Sequence, residues 1–135
     1  MGKSVNYILD TNVIIDYIQG HFPDKETAFI ESLLFANIPN ISVITEIEIL
    51  CWKHAKEEDV EQYEKFIANS KVIELYNNVK RKTIDIRKNH KIKLPDAIIT
   101  ATALVYDLEL ITRNVEDFED IAELKIKNPW DLQDE

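Results

Sequence analysis

A chain of 135 residues with a net charge of −9, two glycines and ordinary apolar content can bury a sizeable core and is not disordered. Its single cysteine, Cys51, excludes an internal disulfide and suits a reducing cytoplasm. The acidity excludes attraction of nucleic acid through the mean field, so phosphate chemistry would need local basic groups or bound cations. The size predicts one domain over residues 1–135. Neither the short apolar run near the N-terminus nor the stretch at 97–105, interrupted by Thr100 and Thr102, suits a signal peptide or a membrane span.

The first predicted element is a strand over Val5–Leu9 that ends on a carboxylate, Asp10. A helix-capping aspartate and a functional acid both fit that position, with Thr11 and Asn12 as further capping candidates. Residues 13–19 are apolar, and Gly20 gives the helix a stop. Residues 24–36 open on Pro23-Asp24 and carry Phe29, Ile30, Leu33 and Leu34 at helical spacing. A second strand is predicted over Ile41–Val43, then a helix over 45–56. At about 100° per residue, Ile44, Glu48, Cys51, Trp52 and Ala55 share one arc of that helix. Glu46 lies opposite, beside Lys53, so Glu48 is expected in the apolar stripe and Glu46 in solvent. A carboxylate in that stripe needs a partner or a cation; the structural alternative is a capping box, Thr45-x-x-Glu48.

Residues 58–68 predict a helix with Val60, Tyr63, Phe66 and Ile67 on one face, followed by a strand at Val72–Leu75 and a helix at 78–89, charged on one side. Pro95 suits the first turn of a helix running to about Asp107. Asp96 is its only charge before Asp107. A first-turn aspartate is favoured by the helix dipole, but the near absence of other polar residues makes this a buried helix and Asp96 a functional candidate. Thr100 and Ala103 continue its stripe and are small enough to leave room beside the carboxylate. Strands at Leu110–Thr112 and, more weakly, Leu124–Ile126 complete the pattern, with Asp117 in the acidic run "RNVEDFED" between them.

Strands alternating with helices predict an α/β fold with a mainly parallel sheet of four to five strands. Ligands of such sheets gather outside the carboxyl ends of the strands, where Asp10 stands. Carboxylates converging on that edge cannot all stay ionised uncompensated. A hard cation such as Mg²⁺ or Mn²⁺ compensates them and needs only one or two as direct ligands. Phosphodiester hydrolysis by one or two metals is the chemistry such a centre suits.

Four segments, "YILDTNVIIDY" (7–17), "SVITEIEIL" (42–50), "LPDAIITATAL" (94–104) and "LITRNVEDF" (110–118), together resemble the PIN-domain ribonuclease family, and more closely its VapC-type toxin branch. They stand in the family's order and spacing, and the resemblance covers almost the whole chain. It implies a three-layer α/β/α sandwich and an endoribonuclease dependent on Mg²⁺ or Mn²⁺. By position, Asp10, Glu48, Asp96 and Asp117 match the catalytic acids, Asp10 and Asp96 being the usual direct metal ligands. Asn12 matches a polar residue supporting the first aspartate, and Thr112 and Asn114 match the segment lining the pocket. The resemblance further implies an RNA substrate, a homodimer, and a cognate antitoxin whose C-terminal segment lies in the active-site groove. Two features depart from the pattern. The glycine that often follows the second acid is missing from "ILCWKH", and the fourth-acid position varies within the family, with Glu116 and Asn114 as neighbours of Asp117.

Lys91, Lys93 and Arg113 flank this site in sequence and are candidates for binding RNA. His21, His54 and His90 have no mutual spacing of a metal site; Cys51 is expected in the core, Trp52 and Trp130 in packing, Asp16 and Asp107 on helix surfaces. A haloacid-dehalogenase-type phosphotransferase would need a second aspartate where Asn12 stands. A response-regulator receiver would need an acceptor aspartate in "VIELYNN" (72–78), which has none. An RNA-processing PIN nuclease and a catalytically inactive PIN-fold interaction module are the remaining alternatives.

Overall fold

The computed structural model describes residues 6–53 and 56–131. Among the described residues five strands form one sheet: β1 (Tyr7–Leu9), β2 (Asn40–Ser42), β3 (Lys71–Ile73), β4 (Glu109–Ile111) and β5 (Ile126–Lys127). Its order is β3-β2-β1-β4-β5, and every pairing is parallel. The helices described between them are α1 (Thr11–Ile18), α2 (Asp24–Ala36), α3 (Val43–Leu50), α4 (Glu57–Ala68), α5 (Asn77–Asn89) and α6 (Leu94–Tyr106). Two 3₁₀ turns follow, at Val115–Asp117 and Pro129–Asp131. The expected α/β class is borne out, with each strand within one or two residues of its predicted place.

The two-residue period of a strand divides the core. Ile8 and Leu110 point to the layer containing Val79 and Ile86 of α5 and Ile98 and Ala101 of α6. Tyr7, Leu9 and Ile111 point to the other, with Val13 of α1, Ile30 of α2, and Tyr63 and Ile67 of α4. Strands buried on both faces read as unbroken apolar triplets, which is why alternation is missing from YIL. The predicted face of α4 is the one that packs.

Two helix ends follow from local chemistry. Gly20, at φ 72°, closes α1, with His21 N donating to Asp16 O at 2.8 Å and Gly20 N to Tyr17 O at 3.2 Å; glycine suits that left-handed position. Pro95 sits in the first turn of α6, as expected.

Two expectations are corrected. α3 ends at Leu50 rather than residue 56, so Cys51 caps the helix and is exposed instead of entering the core; His54 and Ala55 lie outside the described residues. Ser42, not Thr45, is its N-cap, accepting from Ile44 N at 3.1 Å, so the capping box does not form. Thr100 and Ala103 are both buried in the packed helix, and Thr100 Oγ1 donates to the backbone O of Asp96 at 2.8 Å. Trp52 and Trp130 do pack as expected, Trp52 edge-on to Tyr63 and Trp130 against Phe22.

The sheet order sets the position of the site. From β1 the chain builds outward through β2 and β3, then returns to place β4 on the other side of β1. The switch point lies between β1 and β4, and in such sheets ligands bind outside the carboxyl ends of the strands at that point. Asp10 follows β1 directly, and Thr112 follows β4.

Leu110 is 0 % exposed at the centre of β4 and Leu75 is 45 % exposed. Leu110→Ala is expected to cost about 2–5 kcal/mol in urea unfolding, and Leu75→Ala no more than about 0.5 kcal/mol.

Candidate active site

Asp10 stands where the backbone leaves the sheet. Its N–H still donates to Ile111 O, at 3.0 Å, as part of the β1–β4 pairing. Its side chain is both the cap and the centre of the cluster. Oδ1 accepts from Thr11 N at 2.8 Å, which starts α1. Oδ2 accepts from Thr112 Oγ1 at 2.7 Å and from Asn12 Nδ2 at 3.2 Å. The capping and functional readings of Asp10 are therefore compatible. The carboxyl is 6 % exposed. Burial raises its pKa and the Glu48 charge adds to the rise, while the bonds from Thr112, Thr11 and Asn12 oppose it.

The segment after β4 supports this carboxylate from the opposite side. Thr112 Oγ1 donates to Asp10 and accepts from Asn114 N at 3.1 Å. Asn114 thus orients Thr112 through its backbone. Asn12 Oδ1 accepts from Arg113 N at 3.5 Å, a second tie between the two segments.

Glu48 reaches the cluster through a hydroxyl. Thr11 Oγ1 lies 2.6 Å from Glu48 Oε1 and 3.1 Å from Thr45 Oγ1. A hydroxyl has one proton; the shorter contact to the carboxylate takes it, and the Thr45 hydroxyl donates to Thr11 in turn. Glu48 itself is exposed and Glu46 is half-buried, the reverse of the expectation. The helical arc gave the correct direction, toward Asp10, but α3 stops too early to cover that side. The polar pair Thr11 and Thr45 carries the link, and helical periodicity does not single it out.

Asp96 is the third residue of α6 and half-buried. Burial, followed by the charges of Asp10, Asp117 and Glu48, pushes its pKa up to about 6, against a smaller opposing influence of Lys93. Among the described residues no hydrogen-bond donor reaches its carboxylate, so its oxygens are available to a cation or to water. Asp117 is exposed on the 3₁₀ turn and shares with Asp96 a groove of about 610 Å³, joined there by Asp120, Lys91 and Lys93. Asp10 and Glu48 are not on its walls.

The charges of the other three acids are felt at Asp96, yet among the described residues no three His, Cys, Asp or Glu side chains form a ready cage for a metal. An all-oxygen donor set with one or two available carboxylates fits a hard cation that retains part of its water shell.

Asp16 was expected on a helix surface and is instead 6 % exposed. Arg113 Nη1 lies 3.1 Å from its Oδ2, an ion pair without hydrogen-bond alignment, and His21 Nδ1 lies 3.0 Å from its Oδ1. Arg113 also sits over the Trp130 ring, 5.9 Å from its centroid. These contacts brace the Thr112–Asn114 segment against α1.

Two outcomes follow. Thr112→Val removes a donor from a buried carboxylate and is expected to cost about 1–3 kcal/mol in chemical denaturation. Asp96 holds its proton more tightly when folded than unfolded. The associated stability is complete below the ordinary aspartate range and is lost as pH rises through about 6. With chelator present, Asp96→Asn is therefore expected to melt higher than wild type at neutral pH, by on the order of 1–2 kcal/mol after allowance for solvent screening. The difference should vanish toward pH 4 in a series of thermal melts.

The family model described as PIN domain matches residues 7–124. No curated protein matches the chain. Among solved structures, a chain of a toxin–antitoxin complex from Klebsiella pneumoniae is 29% identical with a TM-score of 0.74, the match covering 94% of this chain and 100% of that one. A chain of VapBC2 from Rickettsia felis, bound to a promoter DNA fragment, is 25% identical with a TM-score of 0.76, covering 92% and 98%. A chain of DNA-bound VapBC from Salmonella typhimurium is 25% identical with a TM-score of 0.78, covering 93% and 98%. With the family model running from β1 to the segment beyond β4, the chain belongs to the PIN domain family.

Proposed function

We propose that this protein is the toxin of a VapBC-type toxin–antitoxin pair, a metal-dependent endoribonuclease working in the cytoplasm, whose catalytic acids are Asp10, Glu48, Asp96 and Asp117. The observation that carries the reading is the Asp10 carboxylate, held buried at the sheet's switch point by Thr112, Thr11 and Asn12 and flanked by acids whose charges reach Asp96. A structural cap does not require three further acids around it. The likeness to toxin–antitoxin complexes supports the toxin assignment.

Asp10 and Asp96 would hold Mg²⁺ or Mn²⁺. Asp10 is oriented for this by its three donors, and Asp96 presents a carboxylate that none engages. Glu48, fixed by Thr11, and Asp117, on the groove wall, would orient water by accepting its protons. The ion, when bound, neutralises the acids, makes water more acidic and offsets charge on the phosphodiester. Water oxygen bonds to phosphorus as the P–O3′ bond breaks, and the proton lost by water balances the one gained by the leaving oxygen. The products are a 5′-phosphate and a 3′-hydroxyl. A cognate antitoxin with a basic C-terminal segment would suit the acidic crevice, and the working form would be a homodimer.

Purified, partner-free protein is expected to cleave total RNA with Mg²⁺ or Mn²⁺ and not with chelator. Asp96→Asn should lose more than the roughly 10–100-fold that removal of an outer-shell partner costs. A 2′,3′-cyclic phosphate end, or full activity in chelator, would overturn the mechanism. Folded protein inactive with every metal would leave a PIN-fold interaction module.

A further inference from the structure

Seven of the sixteen lysines and arginines lie between Lys80 and Lys93, with Asp85 the one acid among them. An acidic protein therefore carries a concentrated positive strip along α5 and the loop to α6. The end of this strip reaches the groove at the candidate site, where Arg87, His90, Lys91 and Lys93 line it together with Asp96, Glu116, Asp117 and Asp120. This lining is built into the fold. Arg87 Nε donates to Ile92 O at 3.2 Å, Ile92 packs on the core beneath, and Lys93 is the N-cap of α6. Lys91 and Lys93 are exposed, and among the described residues neither ammonium group is in an ion pair or hydrogen bond. A second groove, of about 650 Å³, shares His90 and continues along α5 to Lys82, with Asp85 and Glu123 also in its lining. Arg113, the other cation near the site in sequence, is committed to Asp16 and Trp130.

An acidic edge repels the polyanion it is proposed to cut. Cations in the same groove offset that repulsion, and ammonium groups do so as point charges without reading bases. We propose that Lys91 and Lys93 bind the RNA phosphates next to the scissile one, and that the strand leaves the site past His90 along α5. This rests on the nuclease reading and assigns it a path. It also locates sequence preference elsewhere, because phosphate contacts position a strand and carry no direct base readout.

The test is fluorescence anisotropy with a 5′-labelled single-stranded RNA at constant Mg²⁺ over a range of KCl. Full-length Asp96→Asn protein serves as the parent, so that the RNA stays intact. Adding Lys91→Gln and Lys93→Gln is expected to weaken binding and to reduce the steepness of log affinity against log salt by about 1.4, two contacts at about 0.7 each. Lys65→Gln with Lys71→Gln removes the same charge from the last turn of α4 and the amino end of β3, and should leave that slope nearly unchanged. On the active background, the Lys91/Lys93 pair should raise KM and spare kcat. Thermal melts check that each variant is folded. Equal slopes for the two lysine pairs, a slope unchanged by Lys91/Lys93, or no RNA binding by the parent would overturn the proposal. The nuclease reading is judged separately by wild-type cleavage of total RNA. Cleavage with an unchanged slope rejects the lysine path alone; no cleavage rejects the reading beneath it.

Discussion

One buried carboxylate joins the two halves of the sheet. Asp10 ends β1, starts α1 and receives the hydroxyl that follows β4, so three elements meet on its two oxygens. An unpartnered carboxylate so deeply buried would cost several kcal/mol. Thr11 N, Asn12 Nδ2 and Thr112 Oγ1 offset that cost and fix the direction of the carboxylate. The switch-point topology makes this possible: only a strand order that places β4 beside β1 brings residues 10 and 112 into contact.

The surrounding electrostatics are arranged in layers. The acid edge is self-repelling, and burial together with the neighbouring charges raises the Asp96 pKa to about 6. Behind it, Asp16 and Arg113 form a separate, compensated pair that braces α1 against the segment carrying Thr112. In front of it lies the positive end of α5. The net charge of −9 averages over these regions and so says little about what any one of them binds.

Much of this was legible in the sequence. The strands were found because short apolar runs bounded by polar residues have few other uses, and α2 and α6 because their periodicity and starting residues agreed. Asp96 stood out as the one charge in an otherwise apolar helix. Glu48 was chosen over Glu46 by its direction on α3, which was sound, but its burial was overestimated because a helical arc does not say how far the helix extends or what covers it. Asp16 was misjudged for a different reason. Its partner lies 97 positions away at Arg113, and pattern within a helix carries no information about a cation delivered by another strand. Thr11 and Thr45 went unnoticed as the link to Glu48 because hydroxyls leave no mark on hydrophobic periodicity.

The bond between Thr112 and Asp10 spans 102 positions of sequence. At a synthesis rate of about 5–20 residues per second, the aspartate waits roughly 5–20 s for the threonine that orients it. During that interval β1 and β2 can pair and α1 can form, but the carboxylate lacks its far-side support and β1 lacks one neighbour. The cluster is therefore a late product of biosynthesis, completed only after most of the polypeptide has been made. An unfinished chain released from the ribosome before β4 would carry Asp10, Glu48 and even Asp96 without the contact that brings them to order.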